Sequence, residues 1–235
     1  MKKRIWELDA ARGLALIGMV LIHLHYDVVE LYGLWDWNPN WYQLFKNNYG
    51  AIFLLISGIS ATLGSRPVKR GFQVFCCGFL CTGATVGMYL LGFAGKDIII
   101  YFGVLQCLGC CMMLWPLFRR VSSALLAILA LAMIALGLWL RTVGFSFPWL
   151  TVLGFAPYGF ASSDYFPLFP NLGYFILGAV LGRKLYGDKQ SRFPRENPPA
   201  KALQWMGRNS LLIYLLHQPV LAAVVGAIAM IRSYS

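Results

Sequence analysis

Charge is scarce in this sequence of 235 residues: Asp, Glu, Lys and Arg together make up only 12%. A soluble domain carries about 25%, and half that leaves too little polar surface to cover a globule in water. Acid is scarcer than base, with 9 residues against 20. There is no glycine-rich phosphate loop, no internal repeat and no trace of the inverted halves of many transporters. The six cysteines, Cys76, Cys77, Cys81, Cys107, Cys110 and Cys111, all fall in apolar runs. Cys107 and Cys110 form a CxxC without histidine or acid neighbours, so they read as small buried side chains, with neither disulfide nor metal.

What is present is apolar. Hydrophobic residues make up 59% and the mean hydropathy is +0.63. They come in long runs without the breaks of half-buried elements, as helices in lipid do. Runs at 10–32, 48–65, 72–93, 98–117, 121–141, 165–186 and 208–231 predict an all-α polytopic membrane helical bundle. It has about seven transmembrane helices in one domain over 1–235. The net charge of +11 could suggest nucleic acid, but its placement says otherwise. Alternate loops gather Lys2, Lys3, Arg4, Arg12, Arg66, Lys69, Arg70, Arg119, Arg120, Arg183, Lys184, Lys189, Arg192, Arg195, Lys201 and Arg208 on one side. Lys46, Lys96, Arg141 and Arg232 are left on the other. By the positive-inside bias the first side is cytoplasmic, with the N-terminus, and the C-terminus is extracytoplasmic. The asymmetry accounts for the charge without a nucleic-acid partner. MKKR and the apolar run after it resemble a signal peptide, but Asp9 and Arg12 interrupt it and no small-x-small site follows Ile22, so it reads as a retained first helix.

Two connections stand out. The stretch 142–164 is aromatic and broken by Gly144, Pro148, Gly154, Pro157 and Gly159, an extracytoplasmic cap lying in the interface or re-entering. The stretch 187–207 reads as a polar, proline-containing cytoplasmic linker. Trp35, Trp37, Trp41 and Tyr42 look like an outer aromatic belt after the first helix.

Polar side chains within spans are costly in lipid and are site candidates by default. At about 100° per residue, Asp9, Arg12, Leu16, Met19, His23, Asp27 and Glu30 share a sector of about 80° on the first helix, a stripe facing the bundle interior. Arg12 and His23 lie about three turns apart, a rise of about 16 Å. A neutral imidazole at that depth can take a proton from a hydroxyl or amine attacking a thioester and return it to the leaving thiolate. Asp27, one turn on, could orient that ring. Alternatively His23 only bonds a neighbouring helix. On the last helix Ser210, Tyr214 and His217 follow i, i+4, i+7, with Gln218 adjacent and Pro219 set to kink the helix. His217 reaches a depth close to that of His23, as a substrate-binding candidate with Tyr214 or as a packing contact. Arg66, Lys69, Arg70, Arg119, Arg120, Arg183 and Lys184 could clamp the phosphates of a nucleotide-bearing donor, or could serve sidedness alone.

LDAARGLALIGMVLIH, FLLISGISATLG, DYFPLFPNLGYFILGAVLG and the closing GRNSLLIYLLHQPVL, in that order, resemble the bacterial relatives of heparan-α-glucosaminide N-acetyltransferase, among the membrane-bound acyltransferases. The resemblance implies a helical bundle in the bacterial cytoplasmic membrane. It would bind acetyl-CoA from the cytoplasm and acetylate a sugar-like or lipid-linked acceptor from the opposite side. His23 carries over as the base and Arg12 as the residue positioning the donor, and DYFPLFPN suggests that Asp164 and Asn171 border the acceptor mouth. The lysosomal enzyme is longer, with a luminal domain and its catalytic histidine after the first helix. The alternative is a transporter or small-molecule binding protein that uses the stripe as a permeation or proton path. Small residues on several helices would permit a homodimer.

Overall fold

A computed structural model describes residues 5–37, 39–193 and 198–233. Lys2, Lys3, Arg4 and Arg195 of the basic set lie outside the described residues. Eight α-helices are found among them: α1 (Trp6–His25), α2 (Asn40–Leu63), α3 (Pro67–Leu90), α4 (Val104–Phe118), α5 (Ser123–Leu140), α6 (Leu168–Leu185), α7 (Pro198–Arg208) and α8 (Ser210–Ser233). Seven coincide with the predicted spans, and the chain is an all-helical membrane bundle. Four helical stretches are both long and apolar enough to cross a bilayer: Trp6–Leu31, Pro67–Leu90, Ser123–Leu140 and Ser210–Arg232. Leu14, Leu80, Leu117 and Ile128 point outward, as lipid-facing side chains do.

The boundaries differ from the sequence reading in four places. Past His25 the first helix widens into a π turn, Tyr26–Leu31. The second helix begins at Asn40, so Trp41 and Tyr42 belong to it instead of to a loop. The fourth begins only at Val104, because Lys96–Ile98 forms a 3-10 turn and Phe102 pairs with the strap before α6. The supposed linker 187–207 contains α7, since its apolar face docks on α1.

The chain forms two compact units, 1–53 with 190–235, and 54–189. In the second, α3 lies antiparallel to α4, α5 lies antiparallel to α6, and the end of α2 runs parallel to α6. Gly58 and Gly178 let those two backbones close up: a Cβ on either would strike the carbonyl of Phe175 or Leu55. Leu54, Cys107, Cys111, Leu126, Ala130, Phe175, Ile176 and Ala179 form the core. At one end, Arg183 donates to the carbonyls of Val121 (2.6 Å), Arg119 (2.8 Å) and Phe118 (3.3 Å) and lies over the Trp115 ring. The Phe118 and Arg119 carbonyls are orphans at the close of α4 and Val121 lies in the turn that follows, so Arg183 caps that helix and ties down its turn. At the other end, the 142–164 segment is irregular apart from a 3-10 turn, Thr151–Leu153. Tyr165 donates to the Thr151 carbonyl at 2.6 Å, and burial pushes its phenol up to about 12.

Candidate active site

The first unit is organised by α1. The predicted stripe is largely the buried face: Asp9, Leu16, Met19 and Asp27 are buried, while Leu14 and Leu21 are exposed. Two elements cover it. The first is α7, running antiparallel at very close range because Gly13 and Gly207 have no side chains. A Cβ on Gly13 would meet the Leu203 carbonyl, and one on Gly207 would meet the Asp9 carbonyl. The second is α8, which runs parallel to α1.

The close approach of α7 carries Arg208 to the start of α1. Asp9, 4% exposed, accepts from Arg12 Nη1 through Oδ1 (3.2 Å) and from Arg208 Nε through Oδ2 (3.4 Å). Arg208 Nη2 also donates to Gln204 Oε1 at 2.9 Å, which leaves Gln204 Nε2 as a buried donor without a partner among the described residues. One carboxylate therefore holds two guanidiniums, and the cluster as a whole is cationic and rich in donors, suited to an oxyanion.

Farther along α1, the His23 ring meets His217 of α8 edge-on, with centroids 4.8 Å apart. His217 Nδ1 lies 2.6 Å from the Tyr214 carbonyl. A carbonyl only accepts, so Nδ1 carries the hydrogen, and in the neutral ring the lone pair sits on Nε2. That atom is buried and has no partner among the described residues.

Asp27 departs from the expectation that it would hold His23. The π turn begins at Tyr26, and its wider i→i+5 spacing replaces the one-turn relation between the two residues. Fully buried, Asp27 instead accepts from Gln218 Nε2 at 2.8 Å through Oδ1. The same turn parts Glu30 from the stripe, and it pairs with Lys46 at 2.6 Å. His25 faces elsewhere: its ring lies 3.7 Å from that of Tyr42, and Nε2 donates to the Trp37 carbonyl at 2.8 Å.

Of the residues named from sequence, His23, His217 and Tyr214 thus come together between α1 and α8, Asp27 bonds Gln218 on the same two elements, and Arg12 lies about three turns away beside Asp9. The others belong to the second unit. Arg66, Arg70, Arg119 and Arg120 are exposed where α2 and α4 end and α3 and α5 begin. Asp164 accepts from the Val104 amide at 3.1 Å, capping the N-terminus of α4. Asn171 is buried and donates to the Pro167 carbonyl at 2.8 Å. Gln204, Arg208 and Gln218 went unassigned by the sequence reading. Arg208 was counted only for sidedness, and Gln218 was noted only as a neighbour of His217.

A polar cluster sorted along one transmembrane helix is the setting in which the family match was found. The family described as heparan-alpha-glucosaminide N-acetyltransferase, catalytic, matches residues 4–219. The chain belongs to that family. Searches of curated proteins and of solved structures returned no match. Membership makes it an integral membrane protein of a transmembrane acetyltransferase type, and the match runs from the start of α1 through His217 and Gln218 of α8.

Proposed function

We propose that this protein transfers an acetyl group from acetyl-CoA, bound from the cytoplasm, to a sugar-like or lipid-linked acceptor approached from the extracytoplasmic side of a bacterial cytoplasmic membrane. The observation that carries the reading is the His23–His217 ring pair, half-buried between α1 and α8 in a chain of this family. In the reaction, the acceptor nitrogen or oxygen attacks the thioester carbonyl. Its proton passes to an imidazole, of His23 or at Nε2 of His217, as the new C–N or C–O bond forms. The C–S bond then breaks and the proton returns to the thiolate, releasing coenzyme A as the thiol. Asp27, bonded to Gln218, the chain neighbour of His217, is proposed as the third residue of the site.

Arg12 and Arg208 are the groups proposed to receive the donor's phosphates, since the cluster they form on Asp9 is cationic and offers donors. Arg66, Arg70, Arg119 and Arg120 would supply further positive potential at the cytoplasmic rim. The test is direct. The full chain in lipid nanodiscs, given labelled acetyl-CoA, releases coenzyme A, and His23→Ala or His217→Ala lowers the rate by about 10²–10⁴-fold. Full activity in both variants would overturn the reading.

A further inference from the structure

The bond between Asp27 and Gln218 fixes more than two side chains. Gln218 spends its Nε2 on Asp27 Oδ1, so the amide presents its oxygen, and the carboxylate presents Oδ2. Both remaining atoms are buried and have no partner among the described residues. Both are also acceptors. An amide turned the other way would set Oε1 against the carboxylate, so the orientation is fixed by the bond itself. Asp27 is completely buried within a membrane span, where a charged side chain is retained for a function. It also sits in a π turn, a distortion common at functional sites.

We infer that Asp27 and Gln218 form the seat for the nucleophile of the acceptor: Oδ2 and Oε1 receive the hydrogens of an amine or hydroxyl group and reject groups offering only lone pairs. This rests on the transferase reading for the word nucleophile. It adds Gln218 as a substrate-positioning residue and gives Asp27 a contact with the acceptor in place of the His23 ring. The chemistry shared by amine and hydroxyl is donation of N–H or O–H, and two buried oxygens on side chains bonded to each other favour it because an unsatisfied acceptor loses its water without recompense.

The experiment uses the full chain in nanodiscs without acetyl-CoA and reads protection against thermal unfolding by glucosamine, glucose and acetate. Glucosamine and glucose separate the amine from the hydroxyl source, and acetate offers lone pairs alone. The native chain is protected by at least one of the two sugars and not by acetate. Asp27→Asn keeps the shape and the bond from Gln218 but turns Oδ2 into an N–H donor, and Gln218→Met removes the partner. Each weakens the protecting sugar at least tenfold, and with acetyl-CoA added each raises the KM for that sugar more than the KM for acetyl-CoA. Equal protection of native and variant chains, protection by acetate, or protection by neither sugar overturns the seat. If the sugar protects and the variants abolish protection while no coenzyme A is ever released, the seat stands as a binding site and the transferase reading falls instead.

Discussion

Gly207→Ala should undock α7 from α1. In an ordinary helix interior the change is favourable by about 0.5–1 kcal/mol, because glycine loses more backbone freedom on folding. Here the added Cβ would meet the Asp9 carbonyl, and backbone cannot swing aside as a flexible side chain can. Overpacking of this kind costs about 1–3 kcal/mol. Since the whole of α7 must shift, the upper end applies, and the net is about 2 kcal/mol against docking, roughly a thirtyfold change in the docked fraction. Arg208 leaves Asp9 with it. The matched control is Gly83→Ala on α3, where a Cβ meets nothing within 4 Å. Hydrogen exchange of residues 198–208 in nanodiscs reads the outcome: faster in Gly207→Ala, unchanged in Gly83→Ala. Native exchange across 198–208 in Gly207→Ala would refute the close-approach argument and the docking of α7 that depends on it.

Other perturbations follow from single contacts. Arg183→Met removes a guanidinium bonded to three carbonyls at the α4–α5 turn and should cost about 2–3 kcal/mol in denaturant-induced unfolding, with Arg183→Lys recovering only part. Asp164→Ala takes the cap from α4 and should cost about 1 kcal/mol of stability while leaving the KM for the acceptor as it was; a large rise in that KM would return Asp164 to the acceptor mouth. The Tyr165 phenol ionises near 10 when unfolded and at about 12 when folded, so its contribution is complete below pH 10 and drains away as pH rises through 12. Tyr165→Phe should flatten that alkaline decline in a pH series of melting temperatures.

The first helix shows how far the sequence carries. Its stripe was legible because 100° per residue holds from Trp6 to His25, and Asp9, Leu16 and Met19 are buried as that period requires. It ceased to be legible at Tyr26, where the π turn sends Asp27 to Gln218 and Glu30 to Lys46. Nothing local in YDVVEL announces that turn. The missed α7 has a different cause: eleven residues with two prolines and mixed polarity form no convincing apolar run, and what holds the helix is the pair Gly13 and Gly207, distant in sequence. Sidedness of the basic residues was readable, but individual employment was not. Arg183 and Arg208 look alike in the sequence, yet one caps a helix and the other joins a buried acid.

The order of groups along α1 is the strongest argument that these contacts belong to one site. Near its start stands a cluster of donors, Arg12, Arg208 and Gln204 around Asp9. About 16 Å farther, at 1.5 Å per residue, the two histidines meet, and beyond them, at the π turn, Asp27 and Gln218 present two acceptors without a partner among the described residues. A donor with an anionic head and a thioester at the end of a long arm needs positive charge at one depth and a proton acceptor at another. A nucleophile entering from the opposite side needs acceptors just past the point of reaction. Stabilisation alone requires no such sequence: salt links and amide bonds tie helices together equally well in any order. Under the proposed transferase reading each polar type stands where transfer between opposite faces would use it, and that reading gives the buried carboxylate of Asp27 a use beyond packing.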